Sequence, residues 1–155
     1  MFVIVRNALC AIACVWLAAA TCAAQEPNES AVEKATIALI THGGGAHVEL
    51  YLQSLAKAEE VGTVVVADAD GKYVEPARNA LGTKLGEVYT DYRELFANEK
   101  PRMALVSMEA KLAPPAIEAA LDAGCHVMSE KPACVNAEDF AKLAAKAEEK
   151  KLHLM

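Results

Sequence analysis

The chain has 155 residues and a mass of 16.4 kDa, the size of one ordinary domain. Its 54% apolar content excludes a disordered chain, and 5% aromatic residues leave no evident platform for stacking bases. All 21 acidic residues but only 14 of the 15 basic ones lie beyond residue 24, so residues 25–155 carry a net charge of −7, which excludes electrostatic capture of nucleic acid or of an anionic membrane.

The first 24 residues hold one charge, Arg6, followed by an uncharged run of 18 residues from Asn7 to Ala24. A basic residue, an Ala/Cys/Val/Trp/Leu run and a small-residue end predict a secretory signal peptide over 1–24, cut after Ala23 or Ala24, and hence an exported protein. The alternative is an uncleaved membrane anchor over residues 7–24, since 18 residues just reach spanning length. No Arg-Arg pair supports a twin-arginine route, and Ala19-Ala20-Thr21 before Cys22 is not a lipobox.

Residues 25–34 form a polar linker. Beyond it, short β-branched runs alternate with longer amphipathic ones. Strands are predicted at 35–40, 61–67, 87–89, 103–107 and 125–129, with a sixth opening at 152–155. Helices are predicted at 46–59, 76–81, 92–98, 114–123 and 136–150. Val48, Leu52 and Leu55 give the first helix an apolar face. Asp91 with Glu94 resembles a capping box, Gly124 ends the fourth helix, and Asn136 caps the fifth. Strands separated by helices predict βαβ units, and therefore an α/β fold: a doubly wound parallel sheet of Rossmann type with helices on both faces, filling residues 35–155. The chain stops inside the predicted sixth strand, which reads as a truncated frame.

Cys10, Cys14 and Cys22 fall in the leader. Cys125 and Cys134 are nine apart, which is not a zinc-ligand spacing, and an extended strand between them separates their α-carbons beyond disulfide reach. Two free, mostly buried thiols are expected.

Chemistry concentrates first at Thr41-His42-Gly43-Gly44-Gly45-Ala46, between the first strand and the first helix. Such a turn lets backbone N–H groups approach a pyrophosphate at a helix N-terminus. Against the fingerprint G-x-G-x-x-G/A, Gly43 and Ala46 fit and Thr41 replaces the first glycine. Asp68 closes the second strand, where a carboxylate accepts the hydroxyls of an adenosine ribose and repels a 2′-phosphate, favouring NAD over NADP. The plainer readings are a loop at a strand end and a turn aspartate before Gly71. His42-Gly-Gly-Gly also matches the oxyanion loop of lipase-like hydrolases, but no serine here sits in the Gly-x-Ser-x-Gly elbow that chemistry needs. His42, His47 and Glu49 straddle a turn and lack metal-ligand spacing, so no metal site is expected.

The stretch Ala120-Leu121-Asp122-Ala123-Gly124-Cys125-His126-Val127, followed by Glu130-Lys131-Pro132, resembles the signature of the Gfo/Idh/MocA oxidoreductases, A-L-x-A-G-x-H-V then E-K-P. Tyr89-Thr90-Asp91-Tyr92-Arg93-Glu94-Leu95 resembles another segment of that family, and the resemblance runs over residues 35–155. It implies an NAD(P)-binding Rossmann domain, normally followed by a larger domain that binds a sugar or polyol, which is absent from this sequence. It implies cofactor contacts from His42, Gly43, Gly44, Gly45, Ala46, Asp68, Ser107, Met108, Glu130, Lys131 and Pro132. It also implies a catalytic role for Lys131, beside the nicotinamide ribose and the reacting carbon, and a cis peptide before Pro132. The chain departs from the pattern at Thr41 and after the fourth strand, where Glu109 is an anionic side chain near the expected phosphates and the usual His position is Ala113. The rival reading is a degenerate Rossmann module that binds or interacts without catalysis.

Overall fold

The computed structural model describes residues 33–155. The expected leader, and all but the end of the expected linker, lie outside the described residues. Strands and helices alternate as β1 (Ala35–Thr41), α1 (Val48–Lys57), β2 (Val61–Asp68), α2 (Val74–Leu81), β3 (Leu85–Tyr89), α3 (Tyr92–Asn98), β4 (Met103–Ser107), α4 (Ala113–Asp122), β5 (His126–Ser129) and α5 (Ala137–Glu149). The strands form one sheet in the order β3-β2-β1-β4-β5, with every neighbouring pair parallel. The chain winds outward from β1 through β2 to β3, then returns to place β4 on the other side of β1. This is the doubly wound arrangement expected from the alternation.

Side chains on the central strands alternate between two cores. Ile37, Leu39, Val64 and Val66 face Val48 and Leu52 of α1 and Ala77 and Leu81 of α2. Ala38, Ile40, Val65, Ala67, Ala104 and Val106 face Leu95 of α3, Ala116, Ile117, Ala120 and Leu121 of α4, and Leu143 of α5. The second core sets small strand residues against small helix residues, which lets α4 lie close to the sheet and explains the alanine-rich composition. Each large aliphatic side chain that is fully buried, such as Leu39, Ile40 and Leu52, stabilises the fold by about 1.5–3 kcal/mol relative to exposure.

The helix ends have local causes. Asn136 accepts the Asp139 N–H at 2.8 Å, as its cap position predicts. Asp91 also caps α3, but its carboxylate takes the Arg93 N–H at 2.8 Å. Gly124 adopts φ 85°, the left-handed conformation that ends α4 without a side-chain penalty.

Several boundaries differ from expectation. The first helix starts at Val48 instead of residue 46, because His47 takes a left-handed φ of 57° just before it. The second starts two residues earlier than predicted, because the Asp68 carboxylate accepts the Tyr73 N–H at 2.6 Å and sets the first turn of α2. The predicted sixth strand at 152–155 is a single parallel bridge, Leu154 to Val127 of β5, flanked by the Met155 N–H donating to the Val127 carbonyl. Cys125 precedes β5 and is buried, Cys134 is half-buried, and both are free.

Candidate functional site

The side chains of Thr41, Asp68, Ser107 and Glu130 are the buried polar ones among the described residues. All four lie where β1, β2, β4 and β5 end. Register places Thr41 beside Asp68 on one side and beside Ser107 on the other. Burying a polar group costs free energy unless it is bonded, so their concentration at one end of the sheet marks it as more than a core boundary. In an open parallel sheet that end carries the ligand crevice, at the point where successive connections leave in opposite directions. Here that point lies between β1 and β4.

The glycine turn fills the mouth of this crevice. Thr41, in place of the first turn glycine, donates its hydroxyl to the Ser107 carbonyl at 3.0 Å, and the Ser107 hydroxyl donates to the Ala46 carbonyl at 2.5 Å. Gly45 is required by this closure, since a β-carbon there would stand 2.6 Å from the Ser107 carbonyl oxygen and against the Thr41 hydroxyl. His42 Nδ1 accepts the Gly44 N–H at 3.0 Å, and its Nε2 lies 3.3 Å from the Glu109 amide. A neutral imidazole has one acceptor nitrogen, so the ring can serve one of these two loops. Gly43 donates its N–H to the Asp70 carboxylate at 2.7 Å, and its carbonyl accepts from the Lys72 ammonium at 2.8 Å. Asp70 was expected only as a turn aspartate before Gly71 and Lys72 had no predicted role, since a contact across 27 residues leaves no local sequence signal.

Asp68 lies deeper. One carboxylate oxygen holds the Tyr73 N–H, while the other, Oδ1, is buried with no hydrogen-bond partner. A buried, unpaired acceptor is costly and rare. A ligand hydroxyl brought to the end of β2 would satisfy it. Nearby, a cavity of about 250 Å³ runs along the ends of β1, β2 and β4 and the start of α3, lined by Thr41, Ala67, Ala69, Thr90, Asp91, Arg93 and Met108. Of these, Met108 alone was a predicted cofactor contact without other assignment.

At the opposite end of the crevice the Glu130-Lys131-Pro132 loop contains a cis peptide before Pro132, as the family resemblance suggested. The Glu130 N–H donates to the Val106 carbonyl at 2.8 Å, which fastens the loop to β4. The Glu130 carboxylate points back to α1, where it accepts from the Tyr51 hydroxyl and pairs with His47 Nδ1 at 3.0 Å. Its other oxygen takes the Lys131 N–H at 3.0 Å and lies 3.6 Å from the Lys131 ammonium. The Tyr51 and His47 bonds hold the Glu130 carboxyl at about 2, well below the usual range. Burial, followed by the anionic Glu130, pushes the Tyr51 phenol up to about 12. Lys131 itself is 86% exposed.

The residues fit a dinucleotide at both ends: an unpaired buried acceptor at Asp68 and an exposed ammonium at Lys131, with the glycine turn between them. The Gly43 amide is held by Asp70, whose side chain is 60% exposed and has room to turn away, while the Gly44 amide is held by His42 Nδ1 and the Gly45 amide by the His42 carbonyl at 2.8 Å. Among the described residues no group of three or more His, Cys, Asp or Glu could hold a metal ion, and no helix is long and apolar enough to cross a membrane.

Comparison with known proteins agrees with this geometry. A search of curated proteins finds no match to the chain. Among solved structures, GenD2 from gentamicin A biosynthesis, in complex with NAD, is 26% identical with a TM-score of 0.69, over 80% of this chain and 34% of that one. The scyllo-inositol dehydrogenase of Lactobacillus casei, with NAD(H) and scyllo-inositol bound, is 20% identical with a TM-score of 0.69, over 79% of this chain and 35% of that one. The WlbA dehydrogenase of Chromobacterium violaceum, in complex with NADH and UDP-GlcNAcA, is 23% identical with a TM-score of 0.68, over 79% and 34%. The chain thus spans about a third of the length of these proteins. The sequence model of the family GFO_IDH_MocA, described as "Oxidoreductase family, NAD-binding Rossmann fold", matches residues 22–155, and the chain belongs to that family.

Proposed function

We propose that this chain is the cofactor-binding part of an oxidoreductase that moves a hydride between NAD(H) and a hydroxyl-bearing carbon of a sugar- or polyol-like substrate. The observation that carries the reading is the Asp68 Oδ1, buried and unpaired at the end of β2 beside the glycine turn. A ribose hydroxyl supplies the donor it lacks, and the carboxylate charge repels a 2′-phosphate, so NAD is preferred to NADP. Support for the substrate class comes from the inositol and sugar-nucleotide ligands of the structural neighbours.

Bound NAD would supply the carbon that accepts or donates the hydride. The chain's own residues bind and orient. Asp68 takes the adenosine ribose, and the Gly43 amide is offered to the phosphates once the Asp70 carboxylate has turned away. The cavity from Thr90 to Met108 receives the adenine. Lys131 places its ammonium where it can hold the nicotinamide ribose and polarise the substrate oxygen. The substrate's remaining contacts, and the group that takes its hydroxyl proton, belong to a second domain. We also propose that the protein is exported after removal of residues 1–24, with an anchor over residues 7–24 as the alternative. The mass of the mature N-terminus separates the two.

Calorimetric titration of NAD⁺ and NADH into the purified chain tests the reading, with Asp68→Asn as the matched variant. Asparagine keeps an oxygen for the Tyr73 N–H but removes the charge-assisted ribose contact, worth about 1.5–3 kcal/mol, so affinity should fall by roughly 10- to 100-fold. A folded chain that binds neither nucleotide supports the second reading, a Rossmann module without cofactor. That reading is favoured by Asp70 already occupying the Gly43 amide.

A further inference from the structure

His47 immediately precedes α1 in a left-handed conformation, φ 57°. Non-glycine residues adopt it rarely, and it persists where the surroundings hold the residue there. What holds His47 is Glu130, 83 residues away, whose Oε2 pairs with the imidazole Nδ1 at 3.0 Å. One helical turn later, Tyr51 donates its hydroxyl to the same oxygen. The second carboxylate oxygen is left for Lys131, accepting its N–H at 3.0 Å and standing 3.6 Å from its ammonium. Glu130 is therefore divided between two tasks, one oxygen bound to α1 and the other steering the residue after it. Lys131 has no other side-chain partner among the described residues. With its ammonium 86% exposed, its direction is set mainly by this loop and this carboxylate.

We propose that His47 and Tyr51 are positioning residues for Lys131, acting through Glu130, and so tune the grip on the nicotinamide half of the bound dinucleotide. The inference rests on the dinucleotide reading above. It gives the segment between the glycine turn and α1 a second role, reaching across the crevice to the loop after β5. A strut that merely held α1 to that loop would affect all ligands alike. A positioning pair acts only on the part of the ligand that Lys131 touches.

The test compares NADH with ADP, which carries the adenosine and both phosphates but neither the nicotinamide nor its ribose. Each is titrated into the chain as wild type, Lys131→Ala, His47→Ala, Tyr51→Phe and the His47→Ala/Lys131→Ala double variant. Lys131→Ala is expected to weaken NADH about 10-fold and leave ADP unchanged. His47→Ala and Tyr51→Phe are each expected to weaken NADH about 3- to 10-fold, again with ADP unchanged. The double variant should lose no more than Lys131→Ala alone, since coupled residues are not additive. His47→Gln, which keeps a side-chain donor, should recover most of the loss, and Tyr51→Phe carries the test if His47→Ala does not fold.

Equal losses for NADH and ADP, or full additivity with Lys131→Ala, would overturn the positioning role while leaving the dinucleotide reading intact. A folded wild type that binds neither nucleotide overturns both.

Discussion

The Asp70 carboxylate accepts the Gly43 N–H at 2.7 Å while Lys72, two residues on, donates to the Gly43 carbonyl at 2.8 Å. The loop after β2 thus grips both polar groups of one residue in the glycine turn. It places an anion on an amide that faces the crevice. A dinucleotide brings its own negative charge to the same turn, and like charges a few ångströms apart repel by about 1 kcal/mol or more near a protein surface. Asp70→Ala should therefore strengthen NAD binding about 5-fold, measured by titration at low salt, with the gain shrinking as salt screens the repulsion. A weaker complex would make Asp70 a ligand of the bound nucleotide instead of its competitor.

Gly45 is the tightest point of the turn. A β-carbon there would stand 2.6 Å from the Ser107 carbonyl oxygen and 2.9 Å from a Val48 methyl. Backbone and buried side chain cannot both give way cheaply, and over-packing of this kind costs roughly 1–3 kcal/mol. Gly45→Ala should lower stability by that amount in urea unfolding and loosen the Thr41–Ser107 bridge that closes the switch point. At Gly43 the atom in the way is the exposed tip of Asp70, 2.9 Å distant. Gly43→Ala should cost much less.

The contrast between those two glycines also shows what the sequence could and could not reveal. Strand and helix order followed from apolar spacing, because each buried run is local: Ile37 to Ile40 and Val64 to Ala67 are continuous in the chain and alternate between two cores. The glycine turn, Asp68 and the Glu130-Lys131-Pro132 loop were legible as spacings and as a family resemblance. What stayed hidden were contacts between distant residues. Tyr51 and His47 lie 79 and 83 residues from Glu130, and nothing near them in sequence points to a carboxylate. The early start of α2 had the same origin, the Asp68 side chain reaching the Tyr73 amide. The expected sixth strand is a single bridge at Leu154, although His153 and Met155 on either side of it also exchange backbone hydrogen bonds with Val127 and Ser129 of β5.

Glu130 gives the fold an acid-sensitive element. Its carboxyl is lowered from the ordinary 4.5 to about 2, chiefly by the Tyr51 and His47 bonds. A depressed carboxyl stabilises the folded chain fully above its unfolded value, and that stabilisation is lost as pH falls toward the folded value. At about 1.4 kcal/mol per unit, the loss between pH 4.5 and 2 is on the order of 3 kcal/mol. Urea unfolding across that range should show it in the wild type and a flatter profile in Glu130→Gln. Tyr51 works in the opposite direction: its phenol is raised to about 12, so its contribution is complete below pH 10 and fades above it.

Lys84 stabilises α1 from its far end. Its ammonium donates to the carbonyls of Ala58 at 2.7 Å, Ala56 at 2.9 Å and Leu55 at 3.4 Å. Leu55 and Ala56 are among the carbonyls that the last turn of a helix leaves without partners, and a cation there suits the helix dipole. The Ala58 carbonyl, just beyond α1, also accepts the Val61 N–H at 3.3 Å. Lys84→Met keeps the length of the side chain and its packing but deprives half-buried acceptors of their donor, at a cost of about 1–3 kcal/mol. Thermal and urea unfolding should register that loss. The substituted end of α1 is the one remote from His47, so NAD affinity should stay within about 2-fold of wild type at a temperature where both chains are folded. A fall in affinity matching the fall in stability would mean that α1 transmits strain along its length to the glycine turn.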